Sequence, residues 1–592
     1  MTWLRASLLF LVLQSYFGKA VVLAEEEPAP NLELGHFEKL PFSFVYGGRP
    51  SAELLPSWGR QEKVESTPEG RERRIITFTD RTTKLELRAE ITRCDDFPAI
   101  DWVLRFTNRG QADSRLLEDV LPLNLSVKIP NGDIVFHYAH GSTASATDYL
   151  PIDEPLAPGS VVNLAPTGGP SSQEVLPFFN MAWPQGGLVW AVGWSGQWSQ
   201  QVQRIGAATI GIKAGQQLLR VKLHPGESIR TPRILLLSWR GTDSVRGDNQ
   251  LRRLLLAHYV PRRGGEIVMP PVTQNSWWID DFGNGTTEEN QLKHFRALPA
   301  LGVEGWWLDA GWFEGGWPHG AGNWVPNAEH FPHGLRPLSD EAHRLGLKFI
   351  VWFEPERVDP HSLIAKEHPE FVLGLHPNLV FDDCASGGRR IDLEMISRSF
   401  ILSRSDSVGR TDATAAWDQA QTAGLSRFVP LNATISTCGL PKYQELSLYS
   451  LRSAATSGFG ICQESFAKDF QTDLFKKVIA EVKMLRPLYL GDFYPLTSIN
   501  VNSEVWCAWQ FDRPEMGRGF AMFFRRPQSP NPDIEVSMRG LDPRAEYEVT
   551  FVDSSETRRL TGANLAKLRV EIANAPGSAL VTYRKLERQD ER

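Results

Sequence analysis

Cysteine is scarce in this chain of 592 residues, with only Cys94, Cys384, Cys438, Cys462 and Cys507 present. No two form a CxxC pair, and none joins a His/Cys cluster at zinc spacing. A disulfide framework and a structural metal are therefore not expected, and only a Cys438–Cys462 bridge is left open. Basic clusters are missing too, and with a formal net charge of −7 the chain has no footprint for nucleic acid. Beyond the N-terminus there is no apolar run long enough to cross a bilayer as a helix.

The N-terminus carries a different signal. Arg5 precedes the mainly apolar stretch from Ala6 to Phe17, and Val22-Leu23-Ala24 then offers small residues before the acidic Glu25-Glu26-Glu27. This reads as a secretory signal over residues 1–24. The apolar stretch is short for a span of about 20 residues, which argues against an anchor. The expectation is an exported chain, periplasmic or secreted, with no membrane contact once the signal is cleaved. Asn124, Asn284 and Asn432 lie in N-x-S/T sequons, a pattern common by chance.

What the chain has in quantity is length and tryptophan. Its length exceeds one hydrophobic core and suggests about three or four domains. Residues 25–258 alternate apolar and polar positions in short runs such as Arg74–Thr79, Leu85–Thr92, Ile100–Phe106 and Gly187–Trp194, the pattern of a large antiparallel β-sandwich. From 262 to 490 short apolar strands alternate with helical stretches. The strands are expected at Asn275–Ile279, Gly305–Asp309, Leu347–Glu354, Leu379–Cys384, Ser399–Asp406, Phe428–Leu431 and Gly458–Gln463. Repeated βα units make a parallel sheet, and a (β/α)8 barrel of the TIM type is the expected form. Seven strands leave that barrel one short, and Gly374 to Asn378 runs between units with no intervening helix. Residues 495–592 return to strands and predict a small C-terminal antiparallel β-sandwich.

Barrel chemistry sits at the C-terminal ends of the strands, and carboxylates gather there: Asp309, then Glu354 and Glu356, then Asp382 and Asp383, then Asp406. Trp306, Trp307, Trp312, Trp317 and Trp324 surround the first of these. Carboxylates with indoles and no metal motif suit glycoside hydrolysis, in which one carboxyl protonates the leaving oxygen and another attacks the anomeric carbon or activates water. A single strand-end acid more often caps the following helix. Several together favour a sugar site.

The run Gly305-Trp306-Trp307-Leu308-Asp309-Ala310-Gly311-Trp312-Phe313 resembles glycoside hydrolase family 36, the melibiase-type α-galactosidases. So do Gly322-Asn323-Trp324, Phe331-Pro332-His333-Gly334-Leu335, Val351-Trp352-Phe353-Glu354-Pro355-Glu356, the block from Cys384 to Asp392, Arg404-Ser405-Asp406 and Gly491-Asp492-Phe493-Tyr494-Pro495-Leu496. The resemblance implies that Asp406 is the general acid/base and that Asp309 holds galactose hydroxyls. It also implies that Trp277 and Trp324 wall the sugar pocket, and that Cys384 with the Gly387-Gly388 turn lets backbone approach the sugar. The implied activity is retaining, exo-acting release of terminal α-linked galactose from an oligosaccharide or glycan, with no cofactor and no metal. A homo-oligomer is left open.

The departures from that pattern are specific. The resemblance calls for a nucleophilic aspartate in a Lys-x-Asp motif at strand four and a pocket arginine after the segment matching His368-Pro369-Glu370-Phe371. The chain instead passes from Gly374-Leu375 to His376-Pro377 and into the next strand. Loss of about one to two βα units of roughly 30 residues each fits both this jump and the missing strand. Ala310 replaces a second galactose-holding aspartate, and Ser403 stands where a tryptophan is usual. Asp382 and Asp383 are read as structural acids binding loop amides. Three activities follow as expectations: an α-galactosidase impaired by its missing nucleophile, a non-catalytic carbohydrate-binding relative, or an α-N-acetylgalactosaminidase or other α-glycosidase.

Overall fold

The structure, a computed structural model, describes residues 41–587 apart from 68–69, 355–358, 360–361, 364–380, 383, 385–386 and 437–445, with Phe381 and Asp382 described as backbone. The signal expected over residues 1–24, Glu356, Asp383, Cys438 and the Leu375–His376 join lie outside the described residues. No helix among the described residues is long and apolar enough to cross a membrane.

The N-terminal region is an antiparallel sandwich. Its larger sheet runs in the order Pro151–Pro155, Val135–Ala139, Phe178–Trp183, Gly186–Gly193, Arg233–Arg240, Ala99–Asn108, Leu85–Cys94, Glu72–Thr79 and Gly59–Ser66. A second sheet orders Val161–Leu164, Trp198–Arg204, Thr209–Gln216 and Leu123–Lys128. Strand period explains the pairing. In Leu85–Cys94, Leu85, Leu87 and Ala89 are fully buried while Glu86, Arg88 and Glu90 alternate on the other face, so a one-residue slip would turn charges into the core.

The sandwich assignment reached too far. Val245–His258 is a helix whose Leu251, Leu254 and Leu255 are buried at helical spacing. Arg252 interrupts that apolar face and hides the pattern in the sequence. It is fully buried, and its guanidinium donates to the carbonyls of Ser426, Val429, Tyr489 and Gly491 at 2.6 to 3.3 Å.

The central region holds a parallel sheet in the order Lys348–Val351, Gly305–Leu308, Val272–Asn275, Phe459–Ile461. Beyond Phe459–Ile461, Ile435 pairs with Gly460 in parallel. Arg404 N donates to the Ala433 carbonyl at 3.1 Å, and Phe381–Asp382 lies parallel to Ser399–Phe400. Seven strand positions therefore follow one another around an arc in chain order. Among the described residues no strand pairs with the free edge of Lys348–Val351, which is where an eighth would close the ring. Trp307, Leu402, Val408, Ile435 and Cys462 fill the interior.

Three expected strands move. The first is Val272–Asn275 rather than Asn275–Ile279, because the Asn275 side chain accepts from Trp277 N at 2.9 Å and starts the short helix Ser276–Ile279. Phe428–Leu431 is not a strand. It continues the turn after the helix Ala415–Leu425, with Val429 N bonded to the Leu425 carbonyl at 2.9 Å, and the strand position falls at 433–435. The third strand ends at Val351, so Glu354 stands three residues past its tip. The other α-helices described in this region are Glu288–Leu301, Arg336–Arg344, Leu393–Ile396, Ala415–Leu425, Leu448–Ala454 and Thr472–Leu485.

The C-terminal region pairs Asp492–Pro495, Cys507–Arg513, Arg518–Arg525, Gly577–Lys585, Glu546–Phe551 and Glu556–Thr561 in one antiparallel sheet, with Asp533–Val536 and Leu568–Glu571 as a second. The regions share cores. Leu235 and Leu237 of the sandwich pack with Ile391, Ile401 and Phe428, and Tyr449 and Leu485 pack with Trp509 and Phe524.

Candidate active site

The strand Gly305–Leu308 is buried along its whole length, and its tip delivers Asp309. Two donors fix that carboxylate and a third bond fixes its backbone. Asn275 Nδ2 donates to the carboxylate at 2.6 Å, Ala310 N donates at 2.7 Å, and Ser276 Oγ accepts from Asp309 N at 2.9 Å. Burial outweighs these bonds and pushes the Asp309 carboxyl up to about 6. Asn275 and Ser276 end the neighbouring strand, so two adjacent tips build this anchor.

Asp406 opens a short 3-10 turn, Asp406–Gly409, just past the segment that starts at Ser399–Phe400. Ser405 Oγ accepts from Ser407 N at 3.1 Å and so fixes the turn. Burial raises the Asp406 carboxyl to about 6, the facing Asp309 and Asp148 push the same way, and Arg389 opposes them. A buried carboxyl raised further by a neighbouring carboxylate, as Asp309 raises Asp406, is what proton transfer near neutral pH requires.

The Gly387-Gly388 turn lies directly against this acid. Gly387 has φ +79°, and a Cβ there would fall 2.5 Å from Asp406 N. A Cβ on Gly388 would fall 2.4 Å from the Arg404 carbonyl. Both positions demand glycine, and the structure brings Asp309, Asp406, Gly387 and Gly388 together. Cys384 is half-buried ahead of the turn.

The aromatic residues divide. Trp306, Trp307 and Trp312, at 0%, 2% and 2% exposure, are core and not sugar platforms. Trp277 follows the Asn275 cap, and its ring meets Trp317 edge-on at 5.7 Å, with Trp317 43% exposed. Trp324 belongs to a second cluster with Trp312, Phe313, Trp352 and Phe353, at ring centroid distances of 5.0 to 6.4 Å. Asn432, one of the sequons, is 2% exposed and accepts from Arg404, so it is closed to glycosylation in the fold.

Sequence reasoning missed three contributors. Asp148 comes from a loop of the N-terminal sandwich and accepts from Ser405 Oγ at 2.6 Å across 257 positions of chain. Asn275 was read as strand, and Arg389 as part of a glycine block. Only the capping pattern of Asn275 could have been found by local reading.

A strand-tip carboxyl and a second one on the turn past a strand, both with raised pKa values, a glycine turn packed against one of them and indoles nearby are the arrangement a barrel glycosidase uses. The melibiase family model matches residues 248–375. The chain is 25% identical to probable alpha-galactosidase C of Aspergillus terreus, over 85% of this chain and 78% of that protein. It is 23% identical to alpha-galactosidase AgaA of Geobacillus stearothermophilus, over 85% and 80%. Among solved structures, the alpha-galactosidase of Lactobacillus brevis has a TM-score of 0.76 at 18% identity, covering 94% of this chain and 89% of that one. An AgaA variant in complex with raffinose has a TM-score of 0.72 at 18% identity, covering 92% and 89%. The family model, these relatives and these structures together support glycoside hydrolase family 36, of the α-galactosidase type, as the family this chain resembles.

Proposed function

We propose that this chain has the binding and proton-transfer half of a retaining, exo-acting α-galactosidase and lacks the nucleophile that completes it. The observation carrying the reading is the placement of Asp406 beside Asp309 in an arc of seven strand positions. Among the described residues no strand stands between Lys348–Val351 and Phe381–Asp382 in that arc. Asp309 would take sugar hydroxyls as an acceptor, and Asp406 would hand its proton to the departing glycosidic oxygen. In a retaining glycosidase the second carboxylate attacks the anomeric carbon. Residues 352–380 contain no Lys-x-Asp sequence to supply one. Their length, about that of one βα unit, is also short for the two helices and strand that an intact barrel places there.

The substrate class is a terminal α-galactoside. Related structures are described in complex with raffinose and with stachyose, which supports an oligosaccharide of that kind. Losing the nucleophile costs several orders of magnitude in rate, and the same gap favours a second reading, a galactoside-binding protein without hydrolysis. We further infer export, from the N-terminal pattern of Arg5, an apolar stretch and small residues before Glu25.

Incubation with an aryl α-galactoside, alongside calorimetry of galactose-type ligands, tests both readings. Saturable binding with turnover far below that of intact relatives is expected. Rapid turnover that persists in Asp406→Asn overturns the acid assignment. Absence of binding to any α-galactoside, with preference for an N-acetylgalactosaminide or glucoside, transfers the site to another α-glycoside, as Ala310 allows.

A further inference from the structure

We propose that Asp148, on a loop of the N-terminal sandwich, is a positioning residue for Asp406, holding it through Ser405 and placing a fixed negative charge behind it. The inference rests on the reading of Asp406 as the acid of a galactoside site, and it adds a part supplied from outside the barrel.

Asp148 is fully buried, and every bond to it is a donation. Ser142 Oγ donates at 2.9 Å, Thr143 N at 2.8 Å, Ala144 N and Ser145 N at 3.2 Å, and Ser405 Oγ at 2.6 Å. Donors on all sides are the surroundings a carboxylate needs in place of water. Two residues of the loop that are not glycine, Ala144 and Tyr149, take φ +60° and +63°. Such backbone persists only where surrounding contacts over-determine it.

The loop does more than satisfy itself. Tyr149, buried next to Asp148, donates its hydroxyl to the carbonyls of Arg404 and Gly388. A second sandwich loop adds Ser172, whose Oγ donates to the Gly388 carbonyl at 2.7 Å and accepts from Ile391 N at 2.8 Å. Both strands of the acid's cradle, 387–391 and 404–405, are thus clamped from the sandwich. Within that clamp the Ser405 hydroxyl has two tasks. It donates to Asp148 and accepts from Ser407 N, so the carboxylate fixes the turn on which Asp406 begins.

Among the described residues, few charged groups face Asp406. Asp309 comes from the second strand tip, Arg389 from the glycine turn and Asp148 from the sandwich loop. Arg404 turns away to Asn432 and the Asp418 carbonyl, and Arg410 pairs with Asp412. The Trp278 ring lies against Gly409 at the far end of the turn. Removing the Asp148 charge therefore leaves Arg389 less opposed and makes Asp406 easier to ionise.

The test is calorimetric titration of the whole chain with 1-deoxygalactonojirimycin, a galactose-shaped cation, from pH 4.5 to 8. The ligand's own ionisation is common to every variant. Wild-type affinity is expected to fall as the pH drops through about 6, with a shallower fall in Asp406→Asn. In Asp148→Asn the acid limb moves down by about half a pH unit, the direction expected on removing a like charge. Ser405→Ala keeps the charge and loses the tether, so affinity drops several-fold at every pH without moving the limb. A limb that stays in place in Asp148→Asn overturns the proposal and makes Asp148 a loop cap. If that variant does not fold, Ser405→Ala decides, and unchanged affinity there overturns the proposal. No binding by the wild type removes the galactoside reading itself, an outcome distinct from the other two.

Discussion

Asp406→Asn keeps the shape of the side chain and removes its titration, so it isolates the electrostatic cost of the acid. Burial first, then Asp309 and Asp148, raise the carboxyl from 3.8 to about 6, with Arg389 pulling the other way. The folded chain thus binds this proton more tightly than the unfolded chain does. Stability from the group is full below the unfolded value of 3.8 and is lost as pH rises through about 6. A shift of roughly two units corresponds to about 3 kcal/mol at most, and the partial exposure of the side chain cuts this to about 1–2 kcal/mol. The asparagine variant should therefore be more stable than the wild type by about 1–2 kcal/mol at pH 8 and nearly equal to it at pH 4. Urea unfolding at pH 4, 6 and 8 measures the difference. Parallel pH profiles for the two proteins would refute the claim that this carboxyl is held in its proton-binding state by the fold.

Three further outcomes follow from particular contacts. Arg389→Gln removes a cation that opposes protonation of Asp406, so the acid limb of iminosugar binding should move up by about half a unit or more, and a downward move would contradict the placement. Gly387→Ala puts a methyl 2.5 Å from Asp406 N at φ +79°; a stability loss of about 1–3 kcal/mol and loss of iminosugar binding are expected, and wild-type affinity would show that the turn is not close-packed on the acid. Arg452 bonds Glu481 at 2.7 and 2.8 Å and Asp553 at 2.8 and 2.9 Å. Arg452→Met strips Glu481 of this ion pair and leaves Asp553 with Lys477 at 3.7 Å, which should cost about 3–5 kcal/mol in urea unfolding; a cost below about 1 kcal/mol would mean that water and Lys477 already screen the acids.

The sequence by itself determined the layer order, because periods of two and of 3.6 residues are local and survive without knowledge of partners. The run Leu85–Cys94 could only be a half-buried strand, and Thr472–Leu485 could only be a helix. Ends of apolar runs were legible for the same reason, so Asp309 and Asp406 stood out as acids there, although Asp406 opens a 3-10 turn six residues past Phe400. Local reading failed where one side chain overrode the period. Asn275 capped a helix inside what looked like a strand, and Arg252, satisfied by four distant carbonyls, concealed a helix. Only the tertiary structure decided that Asp309 and Asp406 face one another, that three of the tryptophans are core, and that a sandwich loop stands behind the acid. Asp148 and Ser405 are separated by 257 positions. Electrostatic coupling depends on distance through space and on exclusion of water, and neither quantity is written in the order of residues along a chain.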